Sequence, residues 1–214
     1  MVKTNSSPEI KLFNIALGLA IFTIGYNLIE GLLSTYFGYE DESLALFGFG
    51  ADSFIEVISG VGIVHMVHRI KRNPESSRDR FEKLALQITG FAFYLLVLVL
   101  LITSAYNIWT GHKPVTTLFG VVISGISIVV MLLLVYWKKK VGRRLESDPI
   151  IADANCTLVC VYMSVILLIS SGIFELTGLA YIDSIGTLGL AYFAFKEGKE
   201  CFEKASSDKY CSCD

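Results

Sequence analysis

Six long apolar stretches, nearly free of charge, divide this chain from Leu12 to Phe195. About 20 such residues cross the ~30 Å hydrocarbon core of a bilayer. Inside lipid, a segment must satisfy its own backbone N–H and C=O groups, so each stretch has to coil into a helix. Only 18% of the 214 residues are charged, against roughly a quarter in soluble domains. The expected fold is therefore an all-α membrane protein with six transmembrane helices and the lipid bilayer as its solvent. The basic residues flank the spans instead of forming a patch, so no nucleic-acid partner is expected.

The spans run approximately Leu12–Phe37, Ser43–Val67, Leu84–Trp109, Thr116–Trp137, Pro149–Phe174 and Leu179–Phe195. The last is the weakest, because Asp183 and several glycines interrupt it. The first is too long for a signal-peptide core and has no small-residue cleavage site after it, so it reads as a span. Arg69, Lys71, Arg72, Arg78, Arg80 and Lys83 crowd the second connection, and Lys138, Lys139, Lys140, Arg143 and Arg144 the fourth. Lys196, Lys199, Lys204 and Lys209 follow the sixth span, whereas the first, third and fifth connections hold Lys113 alone. The positive-inside rule then places both termini in the cytoplasm, and Trp109 and Trp137 suit the interfacial aromatic belt. This gives a cytoplasmic segment over 1–11, a transport domain over 12–200 and a short Cys-containing cytoplasmic tail over 201–214.

Asp52 and Glu56 lie four residues apart inside the second span. An ionisable group at that depth is expensive and marks a pathway, a relay or a bound cation. The fifth span carries Asp153, Cys156 and Cys160. Residues three or four apart share a helix face, so the acids form one stripe and the aspartate and thiols another. The two spans run in opposite directions. Packed side by side, they set Asp52 opposite Cys160 and Glu56 opposite Cys156, four donors around one volume. Carboxylates and thiolates can complete a tetrahedral zinc shell, and the sulfurs also suit cadmium or copper(I). The alternative readings are a metal sensor or scaffold without transport, and a thiol oxidoreductase using Cys156 and Cys160. The second is disfavoured because those thiols are mid-helix.

Other features have competing readings. Cys156 and Cys160 serve equally as small core hydrophobes. Glu30 and Asp183 are further intramembrane acids, able to act as hydrogen-bond partners or proton carriers. Asp183 also suits a helix cap. Cys211 and Cys213, with Cys201 upstream, either collect soft metal or do nothing specific. His65 and His68 read as interfacial bystanders that could also assist ion access. Gly120 and Ser124 offer a small-residue face for close helix contact.

The residues also resemble a known family. Ser43-Leu44-Ala45-Leu46 followed by Ala51-Asp52-Ser53-Phe54-Ile55-Glu56 is similar to the second span of the cation diffusion facilitators. Asp148-Pro149 with Ala152-Asp153-Ala154 resembles the start of their fifth span, and Tyr181-Ile182-Asp183-Ser184 their sixth. The resemblance implies efflux of a divalent metal, usually zinc, in exchange for protons, by a homodimer. The transported ion is then the only metal expected, with no permanently bound cofactor and no enzymatic activity. It also implies that Asp52 and Glu56 bind the ion. The family usually has His and Asp where this chain has Cys156 and Cys160, which softens the ligand set. Its cytoplasmic metal-sensing domain has no counterpart here, so a truncated form is expected, one whose dimer uses the spans themselves. A multi-pass protein of the prokaryotic plasma (inner) membrane is the expected setting.

Overall fold

The computed structural model describes residues 7–40, 44–72, 78–111, 118–177 and 181–207. Six helices make up the fold: α1 (Ser7–Glu40), α2 (Leu44–Arg72), α3 (Arg78–Thr110), α4 (Leu118–Leu145), α5 (Asp148–Thr177) and α6 (Tyr181–Ala205). No strand occurs among the described residues. The helices overrun the apolar stretches that predict them, because they continue into basic ends. Arg69, Lys71 and Arg72 close α2, Arg143 and Arg144 close α4, and Lys204 closes α6. Positive side chains there meet the negative end of the helix dipole. Helices α1 to α5 are long and apolar enough to cross a membrane, whereas α6 does not reach that measure among its described residues.

Burial is inverted relative to a soluble protein. Ile29, Leu32, Ile102 and Val129 are all at least 60% exposed, while Asn27, Glu30, Asp52, Glu56, Thr89, Lys138, Asp153 and Thr157 are buried. An apolar coat around a polar interior is what a hydrocarbon solvent selects. The most apolar windows of α2 and α5 are each 61% buried, against 28% for α1 and 33% for α4. Helices α2 and α5 are thus the enclosed pair that the others surround.

Small residues set the spacing around that pair. A Cβ on Gly50 would come within 2.5 Å of the Thr35 hydroxyl, and one on Gly38 within 2.5 Å of the Phe47 nitrogen. Only glycine lets α1 lie so close along α2. Helices α3 and α6 meet through Phe93, Leu96, Ala194 and Cys201, with Tyr94 stacked on Phe195 and Phe202 at ring separations of 5.8 and 5.4 Å.

The link from α4 to α5 is a tight turn through Glu146 and Ser147. Glu146 takes a positive φ of 51°, and the Ser147 N–H donates to the Gly142 carbonyl at 3.0 Å. Pro149 falls in the first turn of α5, where a missing N–H leaves no helical bond unmade. So short a turn lays α4 and α5 antiparallel and side by side, which matters below.

Several expectations change here. The first helix starts at Ser7, inside the expected cytoplasmic segment over 1–11. Cys201, expected in the tail, is 3% exposed within α6 and packs against α3. Burial pushes its thiol up to about 12, with Glu197 adding to the shift, so it does not offer a thiolate. Ser124 is fully buried inside the protomer, which removes it from any surface for a second copy. His65 and His68 are exposed, away from the polar interior. Cys211 and Cys213 lie outside the described residues, as do the side chain of Asp183 and the surroundings of Gly120.

Candidate metal centre between α2 and α5

The polar residues of α2 and α5 form two stripes of matching period. On α2 the stripe is Asp52, Glu56 and Ser59; on α5 it is Asp153, Thr157, Cys160 and Ser164. Steps of three and four keep each stripe on one helix face. Run antiparallel, they meet rung by rung. The Cys160 thiol donates to Asp52 Oδ2 at 2.7 Å. One turn towards the basic end, the Thr157 hydroxyl donates to Glu56 Oε1. At the third rung, the Ser59 hydroxyl donates to Asp153 Oδ1 at 2.7 Å and pairs with Thr89 of α3 at 3.1 Å.

The first expected rung is therefore present, and the second is taken by a different residue. Glu56 meets Thr157, not Cys156. Both lie on the inner side of Cys160, one helical turn away, and differ by about 100° around the axis. Cys156 falls on the flank of α5 that packs into the apolar cluster with Ile55, Leu86 and Ala194.

A buried ammonium ion completes the centre. Lys138 of α4 is 1% exposed. Its Nζ lies 2.8 Å from Asp153 Oδ2 and 3.7 Å from Glu56 Oε1, and it donates to the Thr157 hydroxyl at 2.7 Å. The sequence places this lysine in the basic cytoplasmic cluster of the fourth connection. The tight turn after α4 explains its position. Lys138 stands about two helical turns before that turn and Asp153 about one and a half after it, so the hairpin brings the two together. The interval between them across the turn was the available signal.

Donor pairing describes the centre better than convergence. Among the described residues, no group of three or more His, Cys, Asp or Glu stands in an arrangement that could hold a metal ion. Asp52 is tied to Cys160, and Lys138 lies between Glu56 and Asp153. Glu56 Oε2 is fully buried and has no hydrogen-bond partner among the described residues. Leaving such an oxygen unpaired in a medium this dry costs about 1–3 kcal/mol or more. Counted as ionised, the carboxylates of Asp52, Glu56 and Asp153 carry three negative charges against the one positive charge of Lys138. Two charges remain to be balanced.

No curated protein sequence matches the chain. The chain does match a family, the cation efflux transmembrane domain, over residues 19–208. That interval takes in α2 to α6 whole, with most of α1. An integral, multi-pass bundle with acids buried between its helices, matched over nearly its full length, belongs to the cation efflux family of membrane transporters.

Proposed function

We propose that the chain exports a divalent heavy-metal cation, zinc or a thiophilic ion such as cadmium, in exchange for protons. The observation that carries this reading is the charge count between α2, α4 and α5. Three buried carboxylates and one buried ammonium leave a deficit that one divalent cation or two protons make good. Either load gives a near-neutral interior, which lowers the cost of turning the site across hydrocarbon.

In this reading Asp52, Glu56, Asp153 and Cys160 handle the ion, with Thr157 as a neutral oxygen between them. Lys138 holds Glu56 and Asp153 when no metal is bound and withdraws when a divalent ion takes those oxygens. Cys160 supplies the soft donor, passing its proton to the Asp52 carboxylate it already faces as metal binds, which leaves the charge count unchanged. Cys156 serves as a ligand only if α5 rotates to turn it out of its apolar cluster. The transporter acts as a homodimer through its spans, in a prokaryotic plasma membrane.

Counter-transport in proteoliposomes tests this. Zinc, cadmium, cobalt, iron and manganese are supplied in turn, with a pH-sensitive dye inside. The expected result is metal flux with proton movement in the opposite direction, strongest for zinc or cadmium. Metal binding without any flux would favour the sensor or scaffold instead.

A further inference from the structure

A second polar cell lies beside the metal centre, between α1, α2 and α4. Glu30 of α1 is 4% exposed. Its Oε2 accepts from the Ser53 hydroxyl at 3.0 Å. Ser53 is the neighbour of Asp52 on α2, so adjacent residues of one helix serve the two cells. The Ser127 hydroxyl of α4 and the Tyr26 phenol lie beside the same carboxylate. Along α1, Asn27, Glu30 and Ser34 follow at helical spacing, and along α4 Ser124 precedes Ser127 by one turn.

What marks the buried faces of α1 and α4 on either side of Glu30 is how many of their polar atoms are unpaired. Seven buried side-chain polar atoms lack a hydrogen-bond partner among the described residues, and five belong to α1 and α4: Asn27 Oδ1, Glu30 Oε1, Ser34 Oγ, Ser124 Oγ and Ser127 Oγ. Buried polar atoms are nearly always paired, and a cluster of exceptions needs an explanation. Here all five are oxygens. The groups around the Glu30 carboxylate, from Ser53, Ser127 and Tyr26, are hydroxyls, the donors of hard ions, and the neighbouring sulfur of Cys160 is engaged by Asp52. The cell also carries one carboxylate, hence one negative charge to balance.

We propose that this cell binds a hard monovalent cation of the sodium class, and that its occupancy opposes that of the metal centre. The first half stands on the cell's own chemistry. The second rests on the metal-centre reading and goes beyond it. Asp52 and Glu30 are close enough to repel each other, so cations loaded beside each of them repel in the same way. Binding of one ion then weakens binding of the other, the coupling an exchanger needs. Linkage makes the effect reciprocal.

The test uses the full chain in detergent, with sodium chloride exchanged for N-methyl-D-glucamine chloride at constant ionic strength and pH. Sodium raises the thermal midpoint of the wild type, because a ligand of the native state stabilises it. The rise is lost in Glu30→Gln and reduced in Ser127→Ala, the milder change should the first fail to fold. It is retained in Asp52→Ala. Zinc affinity of the wild type falls about fivefold in saturating sodium, the low end of typical coupling, and does not change in Glu30→Gln. No sodium response in a wild type that still binds zinc overturns the proposal and leaves the metal centre standing. A response to magnesium or zinc that Glu30→Gln removes, in place of sodium's, also overturns it. A sodium response in a protein that binds no zinc supports the cell and sinks the metal centre.

Discussion

The two seams that α5 and α6 make with their partners differ in almost every respect. Between α2 and α5 the buried face is polar and charged: Asp52 on Cys160, Glu56 on Thr157, Asp153 on Ser59. Between α3 and α6 it is aromatic and small, with Tyr94 lying flat against Phe195 and Phe202, and Gly90 and Gly198 leaving room for the rings. The first seam buries groups that water would hold more cheaply. The second fills space, and among the described residues the contacts at its centre are rings, small side chains and aliphatic groups, with no carboxylate or ammonium. Stability resides in the α3–α6 seam, and the α2–α5 seam spends some of it to keep charge at mid-membrane. Changes at one should therefore alter transport, and changes at the other should alter melting.

The largest expected effect is at Asp52. Asp52→Ala removes the acid without leaving a charge unpaired, since its partner is a thiol. Metal-dependent proton flux in proteoliposomes should vanish while the thermal midpoint holds. Wild-type flux in that variant would move the function away from this seam.

Lys138 gives the opposite signature. Lys138→Met strands Glu56 and Asp153 without their ammonium, and breaking a buried pair this way costs about 3–5 kcal/mol. The thermal midpoint should fall sharply. Adding Asp153→Asn should restore much of it without restoring transport. If the single variant melts like the wild type, the ammonium is not balancing those acids.

On the other seam, Gly198→Leu sets new atoms where a Cβ already lies 2.9 Å from the Tyr94 ring. Overpacking of this kind costs about 1–3 kcal/mol. The midpoint should drop, and the affinity of the surviving protein for zinc should stay as it was. A loss of affinity would mean that the two seams are coupled.

What could be read from the residues, and what could not, follows the same division. Hydropathy and length picked out the six helices, α6 the least clearly, because lipid allows little else. The Asp52–Cys160 rung was legible because spacing and opposed helix directions determine it. Choosing Thr157 over Cys156 was not, since both lie about one turn from Cys160 and only the crossing of the helices selects between them. Lys138 was hidden by its neighbours. Three consecutive lysines point in three directions around a helix, and the count of basic residues that sets the topology treats them all alike. Cys201 was misplaced because an amphipathic helix end resembles a tail until its partner, α3, is known.

Within the α2–α5 seam, the two thiols can be separated. Cys160→Ser exchanges the soft donor beside Asp52 for a hard one, so preference for cadmium over zinc should shrink by about tenfold, or ~1.4 kcal/mol. Cys156→Ser, set in an apolar cluster, should leave that preference in place. Competition binding of the two ions reads both. Equal effects would mean that α5 turns as it loads.

The smallest effect belongs to Cys201, at the basic end of the α3–α6 seam. Burial raises its thiol from 9.0 to about 12. In the unfolded chain the thiol ionises as pH rises through its ordinary value, while in the folded protein it stays neutral. The unfolded state therefore sheds its proton first and gains relative to the native state. Native stability falls across the interval from about 9 to about 12, and below it the contribution is fully present. The slope is at most about 1.4 kcal/mol per pH unit for one group. Lysines and tyrosines titrate in the same range, so the readout is the difference between wild type and Cys201→Ala in denaturant melts at pH 8 and pH 10.5. Wild type should lose about 1–2 kcal/mol more than the variant over that step. Identical losses would mean that the thiol reaches water, and that α6 does not hold closed against α3 at its basic end.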